Sequence, residues 1–186
     1  MDSLEKVAFL VSCLAAALTL RYCQLVLNGK IQPVLATWLM FCISVSLSFS
    51  TYVFTEKHSI TGNLGNVVDL FEVWAIFVTV IFYRRKNQRI FNRLEIKCIL
   101  ASAAIVIFWI FTGQHAVSNL LLQIILVIAY APLVQTLWLG PRNTEPLDVW
   151  TATLMVCAGA MYLAVYRQDY LGMVYSGRAI VSVSIV

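Results

Sequence analysis

Long apolar runs constrain the fold of this chain more than any other feature of its sequence. A helix needs about 20 mainly apolar residues to cross a bilayer, and a soluble core cannot bury many such runs in a chain of 186 residues. None of the runs alternates apolar and polar residues as a barrel strand does. The sequence therefore predicts an all-α integral membrane protein with seven transmembrane helices, at Val7 to Leu27, Leu35 to Phe54, Leu64 to Tyr83, Glu95 to Thr112, Val117 to Trp138, Asp148 to Tyr166, and Tyr170 to Val186.

The connection after the third run is strongly basic. Against one acid, Glu95, it carries six basic residues: Arg84, Arg85, Lys86, Arg89, Arg93 and Lys97. Cytoplasmic loops of membrane proteins are enriched in Lys and Arg, so this loop is expected in the cytoplasm, with the N-terminus outside and the C-terminus inside. Because membrane topology accounts for the basic run, no nucleic-acid partner is expected.

Two parts of the chain share an order of residues. The second and sixth runs each open with a proline followed by a tryptophan, and the third and seventh runs each begin with Leu-Gly. The matched positions are Pro33 with Trp38, Pro146 with Trp150, Leu64-Gly65, and Leu171-Gly172. An odd number of helices with a central linker allows a parallel internal repeat. We therefore expect two three-helix bundles, residues 7–83 and 117–186, joined by a linker helix at residues 95–112 in a 3+1+3 arrangement.

Three ionisable residues interrupt the apolar runs. Asp69 and Glu72 are spaced i, i+3 and share one helical face, and Arg178 lies in the last run. Counted from Leu64 at 1.5 Å per residue, the two acids lie about 7.5 and about 12 Å deep. Counted from the matching Leu171, Arg178 lies about 10.5 Å deep. Charges inside a bilayer cost roughly 3 kcal/mol each on insertion scales, so these three are expected to meet.

Two carboxyls and one guanidinium leave one negative charge unmatched. A protonated carboxyl, a cationic solute, or contact of one acid with water can resolve it. The set is therefore either a solute or proton site or an ion pair that joins the two bundles. Polar and aromatic residues near these charges are further candidates for a pocket lining: Asn66, Trp74, Tyr175 and Ser176.

The segment "YAPLVQTLWLGPRNTEPLDVWTATLMVCAGAMYLAVY", with Pro132 and Gln135 in the fifth run, resembles the second half of the PQ-loop superfamily, which includes the SWEET sugar transporters. The segment "LRYCQLVLNGKIQPVLATWLMFCISVSLSFSTY" looks like the same unit in the first half. The resemblance covers nearly the whole chain. It implies two bundles around a central cavity, through which solute passes by alternating access.

The resemblance also implies roles for particular residues. In SWEET-like proteins, polar residues of helices three and seven build the cavity, which here points to Asn66, Asp69, Glu72, Tyr175, Ser176 and Arg178. Trp38 and Trp150 are then interface anchors or gates. Pro132 is a candidate hinge, because a proline removes a backbone donor and clashes with the preceding helical turn.

The charged residues favour a charged or zwitterionic solute over a neutral sugar, which has no need of a buried arginine. We therefore expect a small transporter of such a solute, with proton coupling left open. The alternative is a receptor on the same fold that binds a ligand without moving it. An enzyme is not expected, because the chain has no Ser/His or Cys/His arrangement, no HExxH and no phosphate-binding glycine loop.

Five cysteines are scattered singly along the apolar runs, at Cys13, Cys23, Cys42, Cys98 and Cys157. Without a CxxC or Cys/His cluster they predict packing residues rather than a disulfide framework or a metal site. No cofactor is expected. The expected partners are the lipid bilayer of a plasma or inner membrane and a small-molecule solute, and a homo-oligomer is left open.

Overall fold

The computed structural model describes residues 3–54, 63–83, 93–139 and 145–186. Within these ranges the chain is helical and contains no strand. The helices are α1 (Ser3–Leu27), α2 (Leu35–Val53), α3 (Leu64–Tyr83), α4 (Arg93–Thr112), α5 (His115–Ala129), α6 (Ala131–Leu139), α7 (Leu147–Tyr166) and α8 (Tyr170–Ser184). The prediction of an all-α protein is thus confirmed for the described part of the chain.

In the described part of the chain, five helical segments are long and apolar enough to cross a membrane: Ser3–Leu27, Leu35–Val53, Leu64–Tyr83, His115–Gln135 and Leu147–Tyr166. The chain is accordingly a multi-pass membrane protein. A shorter apolar stretch, Ile99–Thr112, lies in α4, and α8 has 15 residues. Arg93 and Lys97 are exposed in the first turns of α4, whereas the basic residues from Arg84 to Arg89, on which the predicted orientation rests, lie outside the described residues.

The fifth predicted run forms two helices instead of one. Its first part, α5, ends at Ala129, and Tyr130 separates it from α6. The backbone N–H of Tyr130 donates to the carbonyl of Val127 at 3.1 Å, and the helical ladder resumes where Val134 donates to the Tyr130 carbonyl at 2.9 Å. Pro132 explains the interruption, because it lacks an N–H and its ring crowds the preceding turn. The interruption falls inside the segment that is long enough to span.

Several helices pack on more than one neighbour. Helix α3 contacts both α1 and α2, and α8 contacts both α5 and α7. In addition, α1 packs on α7, α2 packs on α5, and α3 meets α8. Helix α4 lies against α2 and α5. The largest buried apolar cluster runs through the centre of this arrangement and includes Tyr22, Trp38, Ile76, Leu126 and Tyr175.

Small residues allow the closest approaches between helices. A Cβ added to Gly65 of α3 would lie 3.2 Å from the Ala160 Cβ of α7 and 3.3 Å from the Ser176 Oγ of α8. A Cβ on Gly159 of α7 would clash with Val11 of α1. Without a hydrophobic difference between helix and lipid, such close backbone packing is a main source of helix association in membranes.

Candidate functional site

A small cavity lies where α2, α3, α5, α7 and α8 meet. Its volume is about 40 Å³, which is enough for a few water molecules. Charged, aromatic and apolar side chains line it, among them Asp69, Glu72, Arg178, Trp38, Phe41, Tyr130, Trp150, Thr153 and Cys157. The three ionisable residues that interrupt the apolar runs therefore line the same cavity.

Tyr175 connects the acid and the base in this cavity. Its hydroxyl donates to Asp69 Oδ2 at 2.7 Å, and the Arg178 guanidinium carbon lies 4.6 Å from the centroid of its ring. Among the described residues no carboxylate oxygen lies within 4.0 Å of the guanidinium nitrogens. The two charges are thus linked through Tyr175 by a hydrogen bond and a cation–π contact, and not by a direct ion pair.

Arg178 retains unused donors. Its Nε and Nη2 are buried and have no hydrogen-bond partner within the described ranges. A guanidinium presents its donors in a planar fork that fits a carboxylate or a phosphate. The orphaned nitrogens are therefore positioned for an acceptor that the side chains of the described residues do not supply.

Glu72 is the unmatched acid. It lines the same cavity, and within the described ranges its carboxylate has neither a hydrogen bond nor an ion pair. A carboxylate in such surroundings lacks the partner that usually accompanies a buried charge. The site therefore offers an acceptor at Glu72 and a donor fork at Arg178.

An aromatic cluster contributes to the lining of the cavity. Successive rings lie 4.8 to 6.0 Å apart, in the order Tyr22, Trp38, Phe41, Tyr130 and Trp150. Glu145 completes the circle, since its Oε2 accepts from the Tyr22 hydroxyl at 2.8 Å and from Trp150 Nε1 at 3.1 Å. This carboxylate joins α1 to the start of α7.

Glu145 lies two residues before α7 and is only 5% exposed. Burial raises the pKa of its carboxyl to about 7, although the hydrogen bonds from Tyr22 and Trp150 act in the opposite direction. Sequence reasoning missed this residue, because a single acid next to a proline in a loop carries no signal of burial. A second link at this end, the Arg21–Asp148 pair at 3.4 Å, is exposed and contributes little.

A different pair joins α2 to α8 at the opposite end of α2. The Tyr52 hydroxyl, at the end of α2, donates to Asp169 Oδ2. The other oxygen of this carboxylate accepts from the Gly172 N–H at 2.9 Å and caps α8. Hydrogen bonds therefore join α1 to the segment before α7, and α2 to the start of α8.

Three candidate residues lie away from the cavity. Trp74 is 47% exposed and donates to Ser46 Oγ at 3.0 Å; two residues after Glu72, it is turned about 200° around the helix. Ser176 lies in the tight contact of α8 with α3 at Gly65. Asn66 is fully buried and donates to Ser48 Oγ at 3.1 Å. Trp38 and Trp150, in contrast, line the cavity and are buried.

Asn66 belongs to a buried polar network that sequence reasoning did not find. Asn119 and Gln123 of α5 also direct their amides at Ser48 Oγ, at 3.4 and 3.1 Å. Asn119 donates further to the Ser48 carbonyl at 2.8 Å and to Thr51 Oγ1 at 3.1 Å. The available signal was the i, i+4 spacing of Asn119 and Gln123 inside an apolar run, which places both amides on one face.

The described residues contain no group of three His, Cys, Asp or Glu side chains that could hold a metal ion. Four of the cysteines, Cys13, Cys23, Cys42 and Cys157, are free thiols. Compared with protein-family models, with curated proteins and with solved structures, the chain matches none of them.

Proposed function

We propose that this chain is a small membrane transporter that moves a polar, charged or zwitterionic solute by alternating access. Its architecture in this proposal is the PQ-loop or SWEET-like 3+1+3 arrangement, with the N-terminus outside and the C-terminus in the cytoplasm. The observation that carries the proposal is a cavity lined by charged side chains between the helices, with the Tyr22–Glu145 and Tyr52–Asp169 hydrogen bonds joining helices towards opposite ends of α2.

The helix packing supports an internal repeat. If α1, α2 and α3 form one bundle and α5, α7 and α8 the other, α1 corresponds to α5, α2 to α7, and α3 to α8. The contact of α1 with α7 then has its counterpart in the contact of α2 with α5. Likewise, the place of α3 against both α1 and α2 matches that of α8 against both α5 and α7. A pseudo-two-fold axis produces such reciprocal contacts.

The chemistry of the cavity supports a charged or zwitterionic solute. The unused donors of Arg178 suit a carboxylate or phosphate. The unpaired carboxylate of Glu72 suits an amine. A neutral sugar would leave both groups without a matching charge.

The small size of the cavity supports a movement of the helices during transport. Small-molecule sites typically measure about 300–1,000 Å³, and this cavity of about 40 Å³ admits only water. A solute that enters from water therefore has to separate the helices, and such a movement would break either the Tyr22–Glu145 contact or the Tyr52–Asp169 contact. The interruption of the fifth span before Pro132 supplies a place where that span can bend.

The proposal is tested by counterflow in proteoliposomes. A solute is first found by thermal-shift screening of the purified chain with amino acids, vitamins, sugars and organic cations, since a bound ligand raises the unfolding temperature. Uptake should be lost in Arg178→Ala and in Asp69→Asn, which alter the cavity. Trp74→Phe, at a candidate position outside the cavity, is the matched control and should retain uptake. Normal uptake in both cavity variants would contradict the proposed site.

The receptor alternative makes a different prediction in the same experiment. A receptor binds the solute saturably but does not exchange it across the membrane. Binding that depends on Arg178, combined with no counterflow by the wild-type chain, would therefore replace the transporter with a receptor.

A further inference from the structure

A second cavity opens on the outer side of the bundle, between α1 and α3. It measures about 490 Å³, which lies within the range of small-molecule sites. We call it the lateral groove. Small residues of α1 and apolar residues of α3 form its walls: Ser12, Ala15, Ala16 and Thr19, with Val67, Val68, Phe71 and Ala75.

The lateral groove faces the bilayer. Both of its helices are long and apolar enough to span a membrane, and several lining residues are exposed, including Leu20 at 64% and Phe71 at 73%. The groove is therefore accessible to molecules dissolved in the lipid.

Glu72 is the feature that distinguishes this groove from an ordinary gap between helices. It lines both the lateral groove and the central cavity. The hydroxyls of Ser12 and Thr19 are satisfied, since each bonds to a backbone carbonyl of its own helix at 2.9 Å. The Glu72 carboxylate is thus the unpaired polar group of the groove within the described ranges.

We propose that the lateral groove binds an amphipathic organic cation, with its alkyl chain between α1 and α3 and its ammonium group on Glu72 at the boundary of the central cavity. An uncharged alkyl chain would fill the groove but leave the carboxylate without a partner. A hydrophilic cation would match the charge but leave the apolar walls empty. Only a molecule with both an alkyl chain and a cationic group fills the groove and also pairs with the carboxylate.

The amphipathic cation is thereby the substrate class of the proposed transporter. Its transport rests on the proposed function, but its binding to the lateral groove does not. The cation enters sideways from the bilayer and reaches the central cavity through Glu72. With lateral entry, neither the Tyr22–Glu145 contact nor the Tyr52–Asp169 contact has to break before binding.

Binding is measured by thermal unfolding of the purified full chain in a neutral maltoside detergent. The probe is octyltrimethylammonium, and octanol and tetramethylammonium are its matched controls for chain and charge. We expect a rise in unfolding temperature with octyltrimethylammonium and none with either control at the same concentration. An equal rise with octanol would mean that the groove takes alkyl chains regardless of charge, which overturns the proposal.

Two variants locate the site. Glu72→Gln retains the shape of the side chain but removes its charge, and it should weaken octyltrimethylammonium binding about tenfold or more. Ala16→Leu fills the groove at an exposed position and should weaken binding similarly. Its control is Ala17→Leu, which makes the same change at a neighbouring exposed position that does not line the groove.

The outcomes are decisive even where one variant folds poorly. If Glu72→Gln does not yield folded protein, the comparison of Ala16→Leu with Ala17→Leu decides, and equal binding by these two overturns the site. Concentration-dependent dimerisation abolished by Ala16→Leu, with no octyltrimethylammonium binding, would assign the groove to a second copy and also overturn it. Glu72-dependent binding without counterflow would contradict the transporter proposal and support the lateral groove as a binding site. Counterflow of a solute without octyltrimethylammonium binding would support the transporter and contradict the binding site.

Discussion

The hydroxyl and the ring of Tyr175 contact two different charged neighbours. Its hydroxyl holds Asp69 at 2.7 Å, and its ring face lies under the Arg178 guanidinium. The arginine is thereby placed without consuming its hydrogen-bond donors, two of which stay unpaired in the described structure. A direct ion pair would have satisfied both charges and left fewer unpaired donors in the cavity to bind a solute.

Replacing Tyr175 by phenylalanine separates these two roles. The ring remains for Arg178, but Asp69 loses a buried donor, so we expect destabilisation of about 1–3 kcal/mol and weaker solute binding. Thermal unfolding in detergent measures the first effect, and the thermal-shift response to solute measures the second. Tyr170→Phe, at a position that is 73% exposed, is the control. A Tyr175→Phe protein as stable as the wild type would show that the hydroxyl is dispensable.

Glu145 makes the stability of the folded chain depend on pH. Burial raises the pKa of its carboxyl from an ordinary value of 4.5 to about 7, so the folded chain holds this proton more tightly than the unfolded chain. Its contribution to stability is complete below pH 4.5 and is lost as the pH rises to about 7. At 1.36 kcal/mol for each pH unit, the loss has an upper bound of about 3 kcal/mol.

Glu145→Gln should remove this dependence. The amide oxygen still accepts from Tyr22 and Trp150, but it carries no proton to lose. We expect the variant to match the wild type near pH 4.5 and to be more stable above pH 7, with unfolding temperature measured across this range. Asp148→Asn, at an exposed carboxylate nearby, is the control and should leave the pH profile unchanged. A wild-type slope in Glu145→Gln would assign the dependence to another group.

At the scale of helices, Ser48 joins α2 to α3 and α5. Three side-chain amides direct an N–H at its single hydroxyl oxygen, from Asn66 of α3 and from Asn119 and Gln123 of α5. A hydroxyl oxygen has two lone pairs and one proton to donate. Two amides can therefore donate to Ser48 while the third, turned to present its carbonyl oxygen, accepts from it. The amide oxygens Asn66 Oδ1 and Gln123 Oε1 have no partner among the described residues, so the shared hydroxyl of Ser48 is the contact that links the rotation of the three helices.

Ser48→Ala should therefore destabilise more than a serine deletion at the bundle surface. It removes the shared partner of three buried amides, and we expect a loss of about 1–3 kcal/mol in the free energy of unfolding. Ser46→Ala is the control, since Ser46 serves only the exposed indole of Trp74 among the contacts of the described residues. Unfolding of both variants in detergent tests the difference, and equal stability would show that the amides find other partners.

At the scale of the whole molecule, the extent of the helices could be predicted but their rotation could not. Apolar runs end where polar residues begin, so α3 runs from Leu64 to Tyr83 in both prediction and structure. Lipid is as apolar as a protein core, so these helices are apolar all round and periodicity does not show which face is inside. This is why the sequence points to Trp74 and Asn66 as cavity residues. For the same reason it does not point to Tyr130 and Phe41, which line the cavity.

The charged residues are the exception, because their position is constrained by energy rather than by periodicity. Asp69, Glu72 and Arg178 cannot face lipid without a large cost, so their similar depths predict that they lie close together, and in the structure all three line one cavity. The contact through Tyr175 could not be predicted, since it depends on the relative rotation of α3 and α8. Glu145 could not be predicted either, since its burial depends on how α1 meets the start of α7.

Cys157 can report which end of the molecule is open. It lines the central cavity and is only 6% exposed. With the other four cysteines replaced by alanine, it is the single thiol of the chain. A membrane-impermeant maleimide added to one side of proteoliposomes then reacts only when that end opens, so the labelling rate measures the opening of each end separately.

Weakening either closure should favour opening at that end alone. Tyr22→Phe removes a hydrogen bond to Glu145, and Tyr52→Phe removes one to Asp169. Above pH 7, where Glu145 is ionised, a hydrogen bond to a charged group contributes about 1.5–3 kcal/mol, so each change should raise labelling from its own side about tenfold or more. Tyr166→Phe, at a position that is 63% exposed, should leave both rates unchanged. A rise from the same side in both variants would mean that the two contacts do not close opposite ends, and alternating access between them would be excluded.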